Sequence, residues 1–348
     1  MNNVSQQHAI ARKNKHAARW FWISGSYLIA AACLFWSLHD IHFREFFHSV
    51  AGIRWPWVAL AIFLQLLTYV CVAWEWQFLL CPAGYVSMPR LTQAVFAGRF
   101  ANDILPVQLG YLVRVFLVAK WLKKNVATIV PSLLVERLWD GLWLAIGICV
   151  MAFFVPLSPQ LLRARNILAI VVGTGIALVV FVVFRNRRKT SASRNEIFSR
   201  WKWIRKITSF VERMCDGVHR IGRSHVLPAV LSLAFLKLLI QAMSFYAMMW
   251  AYGFRFSFWI GVAVFLIAYL GICVPSTPAG AGLFQVCSIA GLRTFGVDKT
   301  EAAGFSLVAF VLLTLPLLVA GFLAFAQSGL TFRNLKNEAD KWETERRG

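Results

Sequence analysis

Eight ionisable side chains lie inside otherwise apolar stretches: Glu75, Arg99, Asp103, Arg114, Glu136, Arg137, Asp140 and Lys237. A charge in a lipid core is costly, so each is expected to face the protein interior with a partner. In Glu136-Arg137-Leu138-Trp139-Asp140 the two acids are four residues apart on one helix face, and Arg137 is three from Asp140. The run fits a charged gate or coupling site, and equally a clamp tying its helix to a neighbour. Arg99 and Asp103 share the four-residue spacing and form either a local ion pair or part of the same gate. Arg114 offers a guanidinium fork for Glu136, for Asp140 or for a phosphate. Lys237, one turn before Gln241, is expected to meet an acid of the first half or an anionic ligand. Glu75, flanked by Trp74 and Trp76, is expected to snorkel to the headgroup region.

These side chains need elements to hold them, and two of the elements are interrupted. Leu91–Ala119 breaks at Asn102-Asp103-Ile104-Leu105-Pro106, and Phe258–Thr294 breaks at Pro275-Ser276-Thr277-Pro278-Ala279-Gly280. Paired broken segments in corresponding places point to the substrate site of a transporter. Thr277 fits an N-cap and Pro278 a first helical position. Gly280 and Gly282 allow close approach to the backbone. Pro106 restarts the first segment, with Gly110 a turn on. Each returning arm is therefore expected to offer free N–H groups and a positive dipole end to an anion, a lipid phosphate being the natural occupant. The alternative is an ordinary proline or glycine packing kink.

The whole chain fits this setting. Of its 348 residues 59% are hydrophobic, and the mean hydropathy is +0.63. Further stretches of spanning length are Trp20–Leu38, Trp57–Leu80, Val126–Val155, Ile167–Phe184, Leu227–Ala251 and Ala302–Ala326. The first follows a basic arm in the manner of a signal segment, but its length and the spans after it suit an uncleaved helix. The seven cysteines are scattered, with no metal-site or disulfide spacing, and no cofactor is expected. The net charge of +21 is concentrated: residues 185–223 carry twelve Lys/Arg between two spans. Such a segment marks the cytoplasmic side and attracts anionic lipid rather than nucleic acid.

Threading the chain with both termini in the cytoplasm places 25 Lys/Arg inside and seven outside, as the positive-inside rule requires. The expected fold is an all-α polytopic membrane protein, an inverted repeat of about six full spans and two re-entrant hairpins. Its parts are a cytoplasmic basic arm at 1–19, a membrane domain at 20–328 and a cytoplasmic tail at 329–348. The first repeat is 20–155 and the second 167–328, with the basic loop 185–223 within it.

The chain resembles the membrane region of the lysylphosphatidylglycerol synthase family, whose shorter members are called flippase-like. The resemblance rests on Asn102 to Pro106 with Gly110 and Arg114, on Glu136-Arg137 with Asp140, and on Pro275 through Gln285. Phe295-Gly296-Val297 followed by Ala302 also fits, and the similarity covers roughly residues 20–328. It implies lipid translocation between leaflets of a bacterial inner membrane. It also adds Asn102 and Gln285 to Pro106, Gly110, Arg114, Lys237, Thr277, Pro278, Gly280 and Gly282 as substrate-binding candidates. Gln285 stands where the family usually has glutamate, and Ala279 where it has glycine. The soluble aminoacyl-transferase domain is absent, so synthesis of lysyl-lipid is not expected. Two other functions fit less of the sequence. An intramembrane transferase on a lipid phosphate would take Glu136, Asp140 or Asp103 as its base, but no catalytic motif is visible. An anchoring protein would use the basic loop but leaves the matched breaks unexplained.

Overall fold

A computed structural model describes residues 52–81, 83–104, 110–154, 226–273 and 278–329, with scattered helical positions between 163 and 174. Among the described residues there are eight α-helices and no strands. They are α1 (Trp55–Leu80), α2 (Met88–Ile104), α3 (Gly110–Leu122), α4 (Val126–Phe154), α5 (Val226–Tyr252), α6 (Phe258–Cys273), α7 (Leu283–Thr294) and α8 (Lys299–Gln327). The expected spans Trp20–Leu38 and Ile167–Phe184, the arm, the basic loop and the tail lie outside the described residues.

By length and composition three helices are long and apolar enough to cross a membrane: Trp55–Leu80, Pro228–Tyr252 and Lys299–Gln327. Helix α4 is long enough at 29 residues. Its middle, however, holds Glu136, Arg137 and Asp140, which removes the unbroken apolar run that marks a span. The protein is an integral membrane protein of helical type. Helix α8 starts at Asp298, whose carboxylate accepts from the Thr300 amide at 2.8 Å. That bond holds the Asp298 carboxyl below the usual range.

Both broken segments fold as helix pairs, α2 with α3 and α6 with α7. Helices α2, α3, α6 and α7 have 17, 13, 16 and 12 residues. At 1.5 Å per residue they run about 18–26 Å, short of the roughly 30 Å hydrocarbon core. Glycine lets each pair close. A side chain on Gly110 would strike the Gly98 carbonyl, and one on Gly271 would lie 2.7 Å from the Leu283 carbonyl. Gly110 and Leu283 are the first residues of their helices, and Gly98 and Gly271 each lie twelve residues earlier.

The contacts between helices have a regular pattern. Helix α1 packs along α5; α2 packs on α1 and α8, as α6 packs on α5 and α4. Helix α3 meets α4 as α7 meets α8, α1 meets α8 as α5 meets α4, and α1 meets α4 as α5 meets α8. Exchanging α1 to α4 with α5 to α8 therefore leaves the pattern unchanged.

Two apolar cores result, one around each hairpin. The first joins the C-terminal half of α1 to α2, α3 and the start of α4, through Trp76, Leu91, Leu117 and Ile129. The second joins α5, α6 and α7 to the ends of α4 and α8 that carry Leu144, Phe305 and Ala309. Along α4, the charged run 136–140 falls between Leu133 of the first core and Leu144 of the second. The polar residues thus sit at the seam.

The glycine contacts give a stability prediction. Gly110→Ala and Gly271→Ala each push a methyl into a facing carbonyl and are expected to cost about 1–3 kcal/mol by overpacking. Thermal unfolding in detergent measures this, with Gly173→Ala, whose added methyl meets nothing within 4 Å, expected to be neutral.

Candidate lipid-headgroup site

At the seam lies a cavity of about 390 Å³, within the size range of small-molecule sites. Its lining includes the polar residues Arg99, Asn102, Tyr111, Arg137 and Gln241 and the phenylalanines Phe245, Phe265, Phe284 and Phe310.

The charges around it are paired by helix position. Arg114 on α3 donates through Nη1 and Nη2 to Glu136 Oε1 and Oε2 on α4, at 2.9 and 2.8 Å. Both side chains are buried. The guanidinium lies 3.8 Å from the ring centre of Trp76, whose Nε1 donates to Ser132 Oγ at 2.8 Å. Ser132 in turn donates to the Ile129 carbonyl at 2.7 Å. Fork, ring and hydroxyl together fix α1, α3 and α4. Of the partners open to Arg114 from sequence, the structure supplies Glu136.

Lys237 on α5 joins the halves. Its Nζ donates to Glu75 Oε2 on α1 at 2.6 Å and also contacts Asp140 Oδ1 on α4. Its partners are therefore acids of the first half. Glu75 differs from the snorkelling expected of it: the side chain is fully buried. Thr68, Cys71 and Glu75 form a small and polar stripe facing inward, while Val70 and Trp74 face out. Helical periodicity carries that signal, and position between two tryptophans misdirects it.

Arg99, Arg114, Arg137 and Lys237 all line the cavity, and Arg137 and Arg99 are the most exposed of the four. Arg137 lies 3.3 Å from Asp140 and 3.9 Å from Glu136, and its side chain is 44% exposed, against 1% for Glu136 and 11% for Asp140. It stacks 4.3 Å from the centre of Tyr111. Arg99 pairs with Asp103 at 2.9 Å, and here too the base is the more exposed member, 20% against 1%. Arg99 also lies 5.9 Å from the Tyr69 ring centre. The tyrosines were not foreseen; Tyr69, Tyr111 and Tyr269 all line the cavity.

The residues at the breaks are placed differently from one another. Asn102 lines the cavity, and its Oδ1 accepts from the Gly110 amide at 2.7 Å. Gln285 is buried behind the cavity wall, its Oε1 accepting from the Gly282 amide at 2.6 Å. The first amides expected to be free for an anion are thus taken by carboxamide oxygens. Residues 278–280 form a short 3₁₀ turn with Ala279 at φ 55° and Gly280 at φ 73°, and Ala279 and Gly280 line the cavity. Pro106, Thr277 and the Pro278 side chain lie outside the described residues.

The family described as Lysylphosphatidylglycerol synthase TM region matches residues 23–321. The chain belongs to this family. No curated protein matches it. Membership in the lysylphosphatidylglycerol synthase TM region family places the cavity in a membrane protein connected with lipid.

The ion pairs give the next prediction. Glu136→Gln strips the buried Arg114 of its counter-charge and is expected to cost about 3–5 kcal/mol. The double change Arg114→Met with Glu136→Leu, which removes both charges, should recover most of that loss. A double-mutant cycle on thermal stability reads the difference.

Proposed function

We propose that this protein moves an anionic lipid between the leaflets of a bacterial inner membrane, with its headgroup phosphate held by Arg137 and Arg99. One observation carries the reading. Four bases, Arg99, Arg114, Arg137 and Lys237, line the cavity at the seam against two acids, Glu136 and Asp140, and in the pairs Arg99–Asp103 and Arg137–Asp140 the base is the more exposed member. The local network is balanced in charge, yet the face it turns to a ligand is positive. Two guanidiniums suit bidentate phosphate contact, and Asn102 and Gln241 beside them suit the hydroxyls of a headgroup. The phenylalanines of the lining suit the first part of a chain or a ring-rich lipid of polyprenyl or hopanoid type.

The binding cations in this reading are Arg99 and Arg137, and Arg114 and Lys237 build the wall behind them. The acids lining the cavity, Glu136 and Asp140, are held in ion pairs with Arg114, Arg137 and Lys237, which lowers their basicity and favours transport over transferase chemistry. The exchangeable contact pattern of α1 to α4 and α5 to α8 supports an inverted repeat, and broken helices from both repeats converge on transporter sites. Positive charge at the termini and in residues 185–223 supports a cytoplasmic location for them and contact with anionic lipid.

Reconstitution tests the reading. Vesicles containing the protein are expected to flip fluorescent phosphatidylglycerol, followed by dithionite quenching. Arg137→Gln should slow this at least tenfold, as the loss of one charge-assisted phosphate contact implies. A rate equal to that of the wild-type protein in Arg137→Gln and Arg99→Gln alike would place the headgroup elsewhere.

A further inference from the structure

Among the carboxylates of the network, Glu75 is the least compensated. Its Oε2 accepts from Lys237, its Oε1 has no partner among the described residues, and the side chain is fully buried. Its one cation is shared, because Lys237 also contacts Asp140 Oδ1. Asp140 keeps Arg137 at its other oxygen. Glu136, by contrast, holds the whole fork of Arg114. Three acids, Glu75, Glu136 and Asp140, face three bases, Arg114, Arg137 and Lys237. With all six charged the group is neutral.

An anion entering the cavity disturbs this group in a definite direction. It meets Arg137, the most exposed base, and draws that guanidinium from Asp140. Asp140 then takes a larger share of Lys237, and Glu75 loses its one partner. A carboxylate buried without a partner neutralises rather than remain charged. We propose that Glu75 is a proton site linked to the headgroup site, so that each anion bound at Arg137 brings a proton to Glu75 through Asp140 and Lys237. One negative charge and one positive charge enter together, and the buried group stays neutral. The inference rests on the headgroup reading and adds the ion that accompanies the lipid.

The surroundings of Glu75 permit this. On its own helix Cys71 is one turn away. Helix α5 supplies Lys237, and α4 supplies Glu136 and Asp140 with Arg137 beyond them. Arg114 of α3 lies over Trp76. On α2, Arg99 and Asp103 lie at Tyr69, and α8 has no ionisable side chain from Ala302 to Gln327. Lys237 favours the carboxylate, whereas Glu136 and Asp140 disfavour it. Movement of Lys237 toward Asp140 weakens the only favourable contact and leaves the unfavourable ones, which is the sign that proton uptake requires.

Proton uptake is measured with the full chain in detergent, in weak buffer near neutral pH with an indicator dye. The probe is dihexanoyl phosphatidylglycerol, with inorganic phosphate as a second arm. Roughly one proton should be taken up per lipid bound, by linkage. In Glu75→Gln, which mimics the protonated side chain, the lipid should still bind and the uptake should vanish. Binding without uptake in the wild-type protein, or unchanged uptake in Glu75→Gln, overturns the inference and leaves the headgroup reading intact. Failure of both probes to bind overturns the headgroup reading and the inference with it. Equal uptake with phosphate alone upholds the linkage and assigns the anion to a free phosphate. Should Glu75→Gln not fold, wild-type titrations in two buffers of different ionisation enthalpy give the proton count directly.

Discussion

The two-pronged ion pair between Arg114 and Glu136 fixes the geometry on which the rest depends. A buried guanidinium and carboxylate hold together only when aligned and shielded, because no water replaces a lost contact. Both prongs are short and one face of the guanidinium is covered by Trp76. Helix α3 is only 13 residues long and lacks the length to be set by the bilayer. The pair sets it against α4 instead. Once α3 is placed, Gly98 and Gly110 place α2 against it, and Arg99 and Asn102 arrive at the cavity.

The same economy appears at both hairpins. Broken backbone at membrane depth must find its hydrogen bonds within the protein. Asn102 takes the amide of Gly110, and Gln285 takes that of Gly282. The two carboxamides come from different arms of their hairpins, one before the break and one after. The shared requirement is an acceptor that carries no charge. With these amides taken, the helix ends do not offer them to an anion.

Much of this was legible in the sequence because charge and glycine are loud signals in an apolar chain. The i to i+4 spacing of Arg99 and Asp103 and the i to i+3 spacing of Arg137 and Asp140 gave pairs that the structure contains. The breaks located both hairpins to within a few residues. Partner choice between helices was not legible, because Arg114 had two acids within plausible reach and only packing decides between them. Glu75 was misplaced because its flanking tryptophans suggest an interface, whereas the inward stripe from Thr68 through Cys71 depends on knowing which face meets α5. The cavity tyrosines carry no periodic signal of their own. Their role follows from the arginines they flank.

Backbone symmetry and charge symmetry part company here. The helices pack in exchangeable sets, but seven of the eight membrane charges belong to the first set, and Lys237 alone belongs to the second. Gln285, where the family resemblance leads one to expect glutamate, leaves Arg293 at the exposed end of α7 as the one charged side chain of α6 and α7. Its Nε2 has no partner among the described residues, so the side chain is held through its oxygen. The second hairpin adds no Asp, Glu, Lys or Arg to the cavity lining and contributes wall such as Phe284, while the first contributes Arg99 and Arg114. Lys237, the one membrane charge of the second set among the described residues, contacts Glu75 and Asp140 and so ties the second half to the acids of the first.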